Sequence, residues 1–320
     1  MTTEARNATT DVSTVAVGFD GSEQARDALA LGAELARLLA ARLAVVVVYP
    51  VGFFVDLGRD VNQAMLREDA ETKLADAAGN LLEGLDVELK TSVESSDARG
   101  LHDAAEELGA EVLVVGSSHR SGVGSILLGS VGTRLLHGAP CAVAVAPSGY
   151  AASGGHGVNV VVAAFDASPE SRSAVVEAVA LSAAAHAVLR IVAVADTASV
   201  GSAVAIAWAT YDDTIAARMA FLEREVDALL KDLPRDLHPD AHVIAGHPAT
   251  VILEEAAKGV DLVVVGSRGY GALRGVMLGS VTAELLHSAP CPVLVTPRGG
   301  RVFGRDLAPT TETVTVGTGR

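Results

Sequence analysis

The sequence predicts an α/β protein made of two doubly wound domains, each with a five-stranded parallel sheet. Three observations predict it: the chain repeats itself, each repeat alternates strand patterns with helix patterns, and one strand in each repeat runs into a glycine-rich loop. The repeat is clearest where Leu135–Cys141 returns, with one substitution, as Leu285–Cys291. Residues Gly129–Val131 return as Gly279–Val281 at the same spacing. Strands and helices that alternate with short connections favour a parallel sheet covered by helices on both faces.

The repeat divides the chain into four segments. We expect a first domain over residues 12–147 and a second over residues 158–298. Residues 148–157 between them are rich in Gly and Ser, which is typical of a flexible linker. Residues 299–320 are polar and rich in Gly and Thr, so we expect a disordered tail.

The elements of the first repeat follow from apolar patterns and capping residues. Thr14–Phe19 is an apolar strand, and Ser22 after it is a favourable N-cap for a helix ending near Leu39. The next strand, Leu43–Tyr49, contains four consecutive valines, as buried parallel strands do. The same patterns predict strands over about 86–93, 111–115 and 142–146, and helices over about 61–83, over about 98–108 and from Ser130.

The second repeat shows the same order of elements. Ser168 followed by Pro169 marks a helix start, because Pro fits the first helical position. The apolar runs predict strands over 159–165, 189–195, about 241–245, 261–265 and 292–296.

Composition restricts the possible functions. The net charge of −15 and the lack of a Lys/Arg cluster argue against a nucleic-acid partner. The longest apolar stretch, 44–54, is interrupted by Pro50 and Gly52 and is shorter than the roughly 20 residues of a membrane span. The polar N-terminus lacks the apolar core of a secretion signal, so we expect a cytoplasmic protein without a membrane partner. Cys141 and Cys291 occupy equivalent positions, and we expect buried small side chains there.

The glycine-rich loop of the second repeat has the chemistry of a phosphate site. The apolar run Leu262–Val265 leads into Gly266, and Gly269, Gly279 and Ser280 follow. Glycine permits φ > 0 and lets a ligand approach the backbone closely. A helix that starts at Ser280 would offer N–H groups and a positive dipole end to a phosphate. A purely structural turn is the alternative, because glycines also allow a helix to pack closely on a strand.

The ends of the first strands add an acidic residue to this picture. Asp20 and Asp166 follow the first strand of each repeat. Ligands of doubly wound sheets bind outside the carboxyl ends of the strands, where the strand order reverses. If the first and fourth strands are neighbours, one pocket therefore collects the acid and the glycine loop. A helix-capping carboxylate without ligand contact is the alternative reading of Asp166.

These features resemble the universal stress protein family in a tandem, two-domain form. The family's signature is Gly, two residues, Gly, nine residues, Gly and then Ser or Thr, in a five-stranded Rossmann-like sheet. The second repeat matches every position of this signature. The first repeat has His119 where the second Gly of the signature stands. The resemblance covers nearly the whole chain except its ends and the linker.

The resemblance implies ATP sites with phosphates on the glycine loop and helix start, and adenosine near the ends of strands one and two. In the second repeat the implied residues are Asp166, Val194, Gly266, Gly269, Gly279, Ser280 and Val281. In the first repeat they are Asp20, Val48, Gly116, His119, Gly129 and Ser130. The His119 side chain takes up phosphate space, although a protonated imidazole can contact phosphate, so we expect a weaker or altered first site. A Mg²⁺ or Mn²⁺ ion would be carried by the phosphates, with no metal site of the protein's own.

The function that the resemblance implies is a nucleotide-dependent sensor or regulator of the stress response, with protein partners not identified. A slow ATPase or phosphotransfer enzyme and a scaffold without nucleotide remain open. No set of nucleophile, base and orienting group can be assembled from the motifs, so we predict no catalytic residue. The family's dimerisation through its last strand implies that 142–146 and 292–296 pair within this chain as a pseudo-dimer. A homodimer also remains open.

Overall fold

The computed structural model describes residues 13–50, 63–118, 126, 129–154, 157–197, 208–235, 237–267, 278–299, 301 and 303. The strands in these residues are β1 (Thr14–Gly18), β2 (Arg42–Pro50), β3 (Val87–Glu94), β4 (Val112–Gly116), β5 (Ala142–Ala146), β6 (Val160–Phe165), β7 (Val188–Asp196), β8 (Asp240–Gly246), β9 (Leu262–Gly266) and β10 (Val293–Thr296). The helices are α1 (Glu23–Leu38), α2 (Gln63–Ala78), α3 (Asp97–Glu107), α4 (Ser130–Leu136), α5 (Pro169–Ala185), α6 (Trp208–Lys231), α7 (Pro248–Ala256) and α8 (Ser280–Ser288).

Two apolar layers hold the helices on the sheet. Alternate strand residues enter opposite layers, so that in β1 Val15 and Val17 face one layer and Ala16 faces the other. One layer packs against α1, α2, α5 and α6, and the other against α3, α4, α7 and α8. The doubly wound α/β class predicted from the sequence is confirmed. Across the described part of the chain, no helix combines the length and the apolar character that crossing a membrane requires.

The helix starts follow from their capping residues. Ser22 Oγ accepts a hydrogen bond from the Ala25 N–H at 3.1 Å, and Ser168 Oγ accepts one from the Ser171 N–H at 3.1 Å. Both serines are N-caps, as the sequence predicts, and Pro169 occupies the first position of α5. These caps fix where α1 and α5 leave the carboxyl ends of β1 and β6.

The order of the strands places the switch point between the first and fourth strand of each repeat. Across the sheet the order is β3-β2-β1-β4-β5-β10-β9-β6-β7-β8. β1 pairs in parallel with β4, and β6 pairs in parallel with β9. The adjacency on which the pocket prediction depends is therefore present in both repeats.

The two repeats meet through their last strands. β5 and β10 pair in antiparallel fashion, with Ala144 opposite Leu294 at the centre of the register. Every other strand pair in the sheet of the described residues is parallel. The pairing predicted for these two strands is present, and it makes one continuous ten-stranded sheet.

The segment after β5 is not the free linker that its composition predicts. The Asp27 carboxylate of α1 is 4% exposed and accepts hydrogen bonds from the N–H groups of Gly149 and Ala151, both at 2.8 Å. The Tyr150 hydroxyl donates to Glu34 at 2.5 Å. Gly/Ser content does not reveal this docking, because an acid on α1 binds backbone groups more than a hundred positions further along the chain.

Candidate functional site

A cavity of about 630 Å³ opens at the carboxyl edge of the first repeat. Its wall is formed by the ends of β1, β2 and β4 and by the first turns of α1, α3 and α4. Among the residues predicted for this site, those that line the cavity are Asp20, Val48, Gly116, Gly129 and Ser130. The sixth predicted residue, His119, lies outside the described residues.

The cavity also contains polar side chains that sequence reasoning missed. Ser117 and Ser118 follow β4, Gln24 lies in the first turn of α1, and Asp97 is the first residue of α3. The predicted helix over 98–108 begins one residue after Asp97, and a polar residue at that boundary gives no signal of its own. The order of the elements could have indicated Asp97, because the helix after β3 starts at the carboxyl edge of the sheet, where the pocket lies.

The acid after the first strand shapes the helix start in both repeats. Asp20 Oδ1 accepts a hydrogen bond from the Ser22 N–H at 2.9 Å. Asp166 Oδ1 accepts the equivalent bond from the Ser168 N–H, also at 2.9 Å. Each acid thus has a structural role in the turn before α1 or α5. This role is compatible with a ligand contact, because a carboxylate has two oxygens that accept hydrogen bonds.

Asp97 brings a second carboxylate to the first cavity. Burial raises the pKa of the Asp97 carboxyl, and the negative charge of Asp20 raises this pKa further. Like charges that share a site disfavour ionisation in this way. The side of the cavity formed by the end of β1 and the start of α3 is therefore acidic.

The first glycine of each loop is required by packing. A Cβ added to Gly116 would lie 2.1 Å from the carbonyl oxygen of Gln24, and one added to Gly266 would lie 2.9 Å from the carbonyl carbon of Glu170. Neither glycine has a positive φ. The explanation by φ > 0 is therefore wrong for these two positions, and close packing of α1 on β4 and of α5 on β9 takes its place.

The glycines at the helix starts also have extended backbones. Gly129 has φ −77° and ψ 175°, and Gly279 has φ −62° and ψ 146°. Each is the N-cap of its helix, and neither has a side chain to bond the first turn. Any residue can adopt these backbone angles, so the angles do not require glycine. The lack of a side chain instead leaves the N–H groups of the first helical turn uncovered.

In the second repeat, two hydrogen bonds connect the two ends of the glycine loop. The Gly279 N–H donates to the Ser267 carbonyl at 2.9 Å, and the Thr282 hydroxyl donates to the Gly266 carbonyl at 2.8 Å. They hold the start of α8 against the end of β9. Residues 268–277, which include the predicted Gly269, lie outside the described residues.

The other predicted residues of the second repeat lie at the same edge. Val194 is buried near the end of β7, Ser280 is the exposed first residue of α8, and Val281 is half-buried beside it. Asp166, which follows β6, is half-buried. The order β9-β6-β7 therefore places the loop, the acid and Val194 on three adjacent strand ends.

The cysteines and the metal-ligating side chains add no further site among the described residues. Cys141 and Cys291 are buried, and burial raises the pKa of each thiol to about 12. Thiols with such a pKa are poor nucleophiles, in line with the expected structural role. Within the same residues, no three His, Cys, Asp or Glu side chains are grouped so that they could hold a metal ion.

Comparison with known proteins agrees with this architecture. The model of the universal stress protein family matches residues 12–147 and 157–297. A universal stress protein of Mycolicibacterium smegmatis is 31% identical over 291 residues, which are 88% of this chain and 96% of that protein. One of Mycobacterium tuberculosis (strain H37Rv) is 33% identical over 195 residues, which are 58% of this chain and 61% of that protein. The crystal structure of a universal stress protein from Archaeoglobus fulgidus has the same fold, with a TM-score of 0.61 at 21% identity, covering 89% of this chain and 96% of that one.

The fold and the two glycine-containing edges define a tandem of doubly wound α/β units joined in one sheet. With both repeats matched by the family model, the chain belongs to the universal stress protein family. The family predicted from the sequence motifs is thereby confirmed.

Proposed function

We propose that the chain binds ATP and acts as a nucleotide-dependent sensor or regulator of the stress response. The observation that carries this proposal is the first-repeat cavity, which is lined by five of the six residues that the family resemblance implies for that repeat. Its volume of about 630 Å³ is within the usual range of small-molecule pockets. The edge also offers hydroxyl groups to phosphate at one end and carboxylates to sugar or base donors at the other.

The phosphates of a nucleotide fit the β4 side of this cavity. Ser117, Ser118 and Ser130 line this side, and their hydroxyl groups can donate hydrogen bonds to phosphate oxygens. Gly116 and Gly129 leave room for the ligand, since neither has a side chain. A Mg²⁺ or Mn²⁺ ion bound by the phosphates would neutralise part of their charge.

In the second repeat we propose that Gly266, Gly269, Gly279 and Ser280 hold the phosphates, with Val281 in the first turn of α8 beside them. Asp166 and Val194 would then lie at the adenosine end. Support comes from the adjacency of these strand ends and from the glycine N-cap of α8, which has no side-chain hydrogen bond to its first turn. We expect this site to be the tighter one, because the first repeat has His119 in place of the second glycine.

The same substitution at the equivalent position of each repeat tests the proposal. We would titrate the full chain and its Gly279→Asp and Gly129→Asp variants with ATP and Mg²⁺ by calorimetry. A carboxylate at either helix start would repel the phosphates. We expect Gly279→Asp to weaken the tighter binding by roughly 10-fold or more, and Gly129→Asp to affect only the weaker binding. Thermal unfolding of each variant shows whether the fold is retained.

Two results would replace this proposal. If the wild-type protein binds no adenine nucleotide, the scaffold alternative is correct. If ADP accumulates steadily and Gly279→Asp abolishes it, the slow ATPase is correct. Light scattering with and without ATP, in the same samples, tests for a homodimer.

We also propose that this regulation takes place in the cytoplasm. Both cysteines are free and buried, and proteins of reducing compartments such as the cytoplasm have few disulfides. Fractionation of cells that produce the chain from its own gene tests this assignment, and recovery in the membrane fraction would contradict it.

A further inference from the structure

The first cavity is chemically different at its two ends. β4 lies on one side of β1 and β2 on the other, so the cavity spans two strand spacings, about 10 Å. Ser117 and Ser118 line the β4 side. Asp97 lies on the β2 side, because α3 packs over the end of β2: a Cβ added to Gly100 would come within 2.6 Å of Val48 Cγ1. Asp20 stands between them, at the end of β1.

This distribution orients a nucleotide in the cavity. Phosphate groups are repelled by the carboxylates and attracted by the hydroxyl groups, so they belong at the β4 side. The sugar then lies toward Asp20 and Asp97. Carboxylates at such positions accept hydrogen bonds from ribose hydroxyl groups and repel a phosphate carried by the ribose.

The two repeats differ in the first residue of the helix that follows the third strand. Asp97 and Pro248 are the first residues of the equivalent helices α3 and α7, which begin directly after their N-cap residues. The buried Leu101 and Ile252, each four residues further on, confirm this alignment. Because Pro248 has no charge, the first residue of α7 brings no carboxylate to the corresponding place in the second repeat.

We propose that Asp97 is a specificity-determining residue of the first cavity, selecting adenine nucleotides with free ribose hydroxyl groups over those phosphorylated at the 3′ position. This inference rests on the proposed nucleotide-binding function. Its physical basis is the geometry of the edge: two carboxylates line the sugar side of one cavity. Replacing a 3′-hydroxyl by a phosphate removes a donor and brings a dianion to these carboxylates. The raised pKa of Asp97, due in part to Asp20, supports their proximity.

A matched pair of ligands tests the selectivity. AMP and adenosine 3′,5′-bisphosphate differ only in the 3′-phosphate. Hydrogen–deuterium exchange of the full chain, at constant ionic strength of about 0.1 M, reports binding to each repeat through its own peptides. We expect AMP to slow exchange in peptides from α3 and β4 at a concentration at least 10-fold lower than the concentration of the bisphosphate that has the same effect. In Asp97→Asn this ratio should fall below about 3-fold while the AMP affinity changes little.

The control variant is Glu106→Gln, which removes an exposed negative charge from the same helix. It should leave the ratio unchanged, because Glu106 does not line the cavity. Equal binding of the two ligands by the wild-type protein, or an unchanged ratio in Asp97→Asn, overturns the inference while AMP protection upholds nucleotide binding. If neither AMP nor ATP protects the first repeat, the proposed function of that cavity fails, and the inference fails with it.

Discussion

The carboxyl edges of the two repeats begin alike. In both, an acid follows the first strand and accepts a hydrogen bond at 2.9 Å from the N–H of the serine two residues later. In both, that serine caps the helix that returns across the sheet. The shared residues are thus those that set the direction of the chain after the strand.

The edges differ in residues that the later helices of each repeat bring to them. Thr282 donates its hydroxyl hydrogen bond to the end of β9, whereas the equivalent residue of the first repeat is Gly132, which has no side chain. Asp97 lines the first cavity, and Pro248 takes its place in the second repeat. The comparison indicates that the two repeats share a backbone frame but differ in where they place a carboxylate at the start of α3 or α7 and a hydroxyl hydrogen bond beside the loop.

The largest expected difference between the edges concerns the first glycine of each loop. Gly116→Ala would place a Cβ 2.1 Å from a backbone oxygen of α1, whereas Gly266→Ala would place one 2.9 Å from backbone and side-chain atoms of Glu170. The backbone of α1 or α5 must move in either case. We expect Gly116→Ala to lower the free energy of unfolding by about 3 kcal/mol and Gly266→Ala by about 1–2 kcal/mol, measured by urea unfolding.

The control for these two variants is Gly129→Ala, where the added Cβ meets Ser118 at 3.4 Å, an ordinary contact, and no closer atom of the described residues. Its cost should stay below about 1 kcal/mol, since only the N-cap preference changes. Equal losses for Gly116→Ala and Gly266→Ala would show that the two edges are equally crowded.

The next largest effect concerns the hydrogen bond from Thr282 to the Gly266 carbonyl, which Gly132 cannot form in the first repeat. Thr282→Val keeps the shape of a fully buried side chain but leaves the Gly266 carbonyl without this donor. We expect a loss of about 1–2 kcal/mol in the free energy of unfolding. The control is Thr133→Val, whose hydroxyl bonds the Gly129 carbonyl on an exposed face of α4. Its loss should be under about 0.5 kcal/mol, and a comparable loss would mean that Thr282 is no special anchor.

The sequence was sufficient to predict the central strands, because these buried parallel strands are continuous apolar runs. The fourth strand was predicted over 111–115 and is Val112–Gly116, and the fifth is Ala142–Ala146 as predicted. The second helix was less well bounded: it was predicted over 61–83 and is described over Gln63–Ala78. Its polar and apolar residues do not alternate with a clear helical period, so the pattern gives no sharp end.

The sequence predicted at which edge of the sheet the candidate site lies, but it did not predict all of the side chains that line the site. Which polar residue faces the cavity depends on how a helix packs, and α3 brings Asp97 there because Gly100 lets it approach Val48. The sequence likewise could not show why position 116 requires glycine, since the neighbouring Gln24 is far away in sequence. Such contacts come from tertiary packing, and no local pattern encodes them.

The smallest expected effect concerns the ionisation of Asp97, and it tests the acidic edge directly. Burial, and then the charge of Asp20, raise the pKa of Asp97 above its ordinary value of 3.8. An acid with a raised pKa binds its proton more tightly in the folded state than in the unfolded one. The contribution of Asp97 to stability therefore falls as the pH rises through the window above 3.8, and it stays lower at neutral pH.

Replacing this carboxyl by an amide should remove the loss of stability that Asp97 causes as the pH rises. We expect the stability of Asp97→Asn relative to wild type to improve between about pH 3.5 and pH 6, by only a few tenths of a kcal/mol because Asp97 is only partly buried and solvent screens its charge. Carbon-13 NMR of the side-chain carboxyl gives the pKa itself. In Asp20→Asn the pKa of Asp97 should fall only part of the way, because burial is the larger cause. If it does not move at all, the two carboxylates do not share an edge, and the contrast with the Pro248 side of the second repeat disappears.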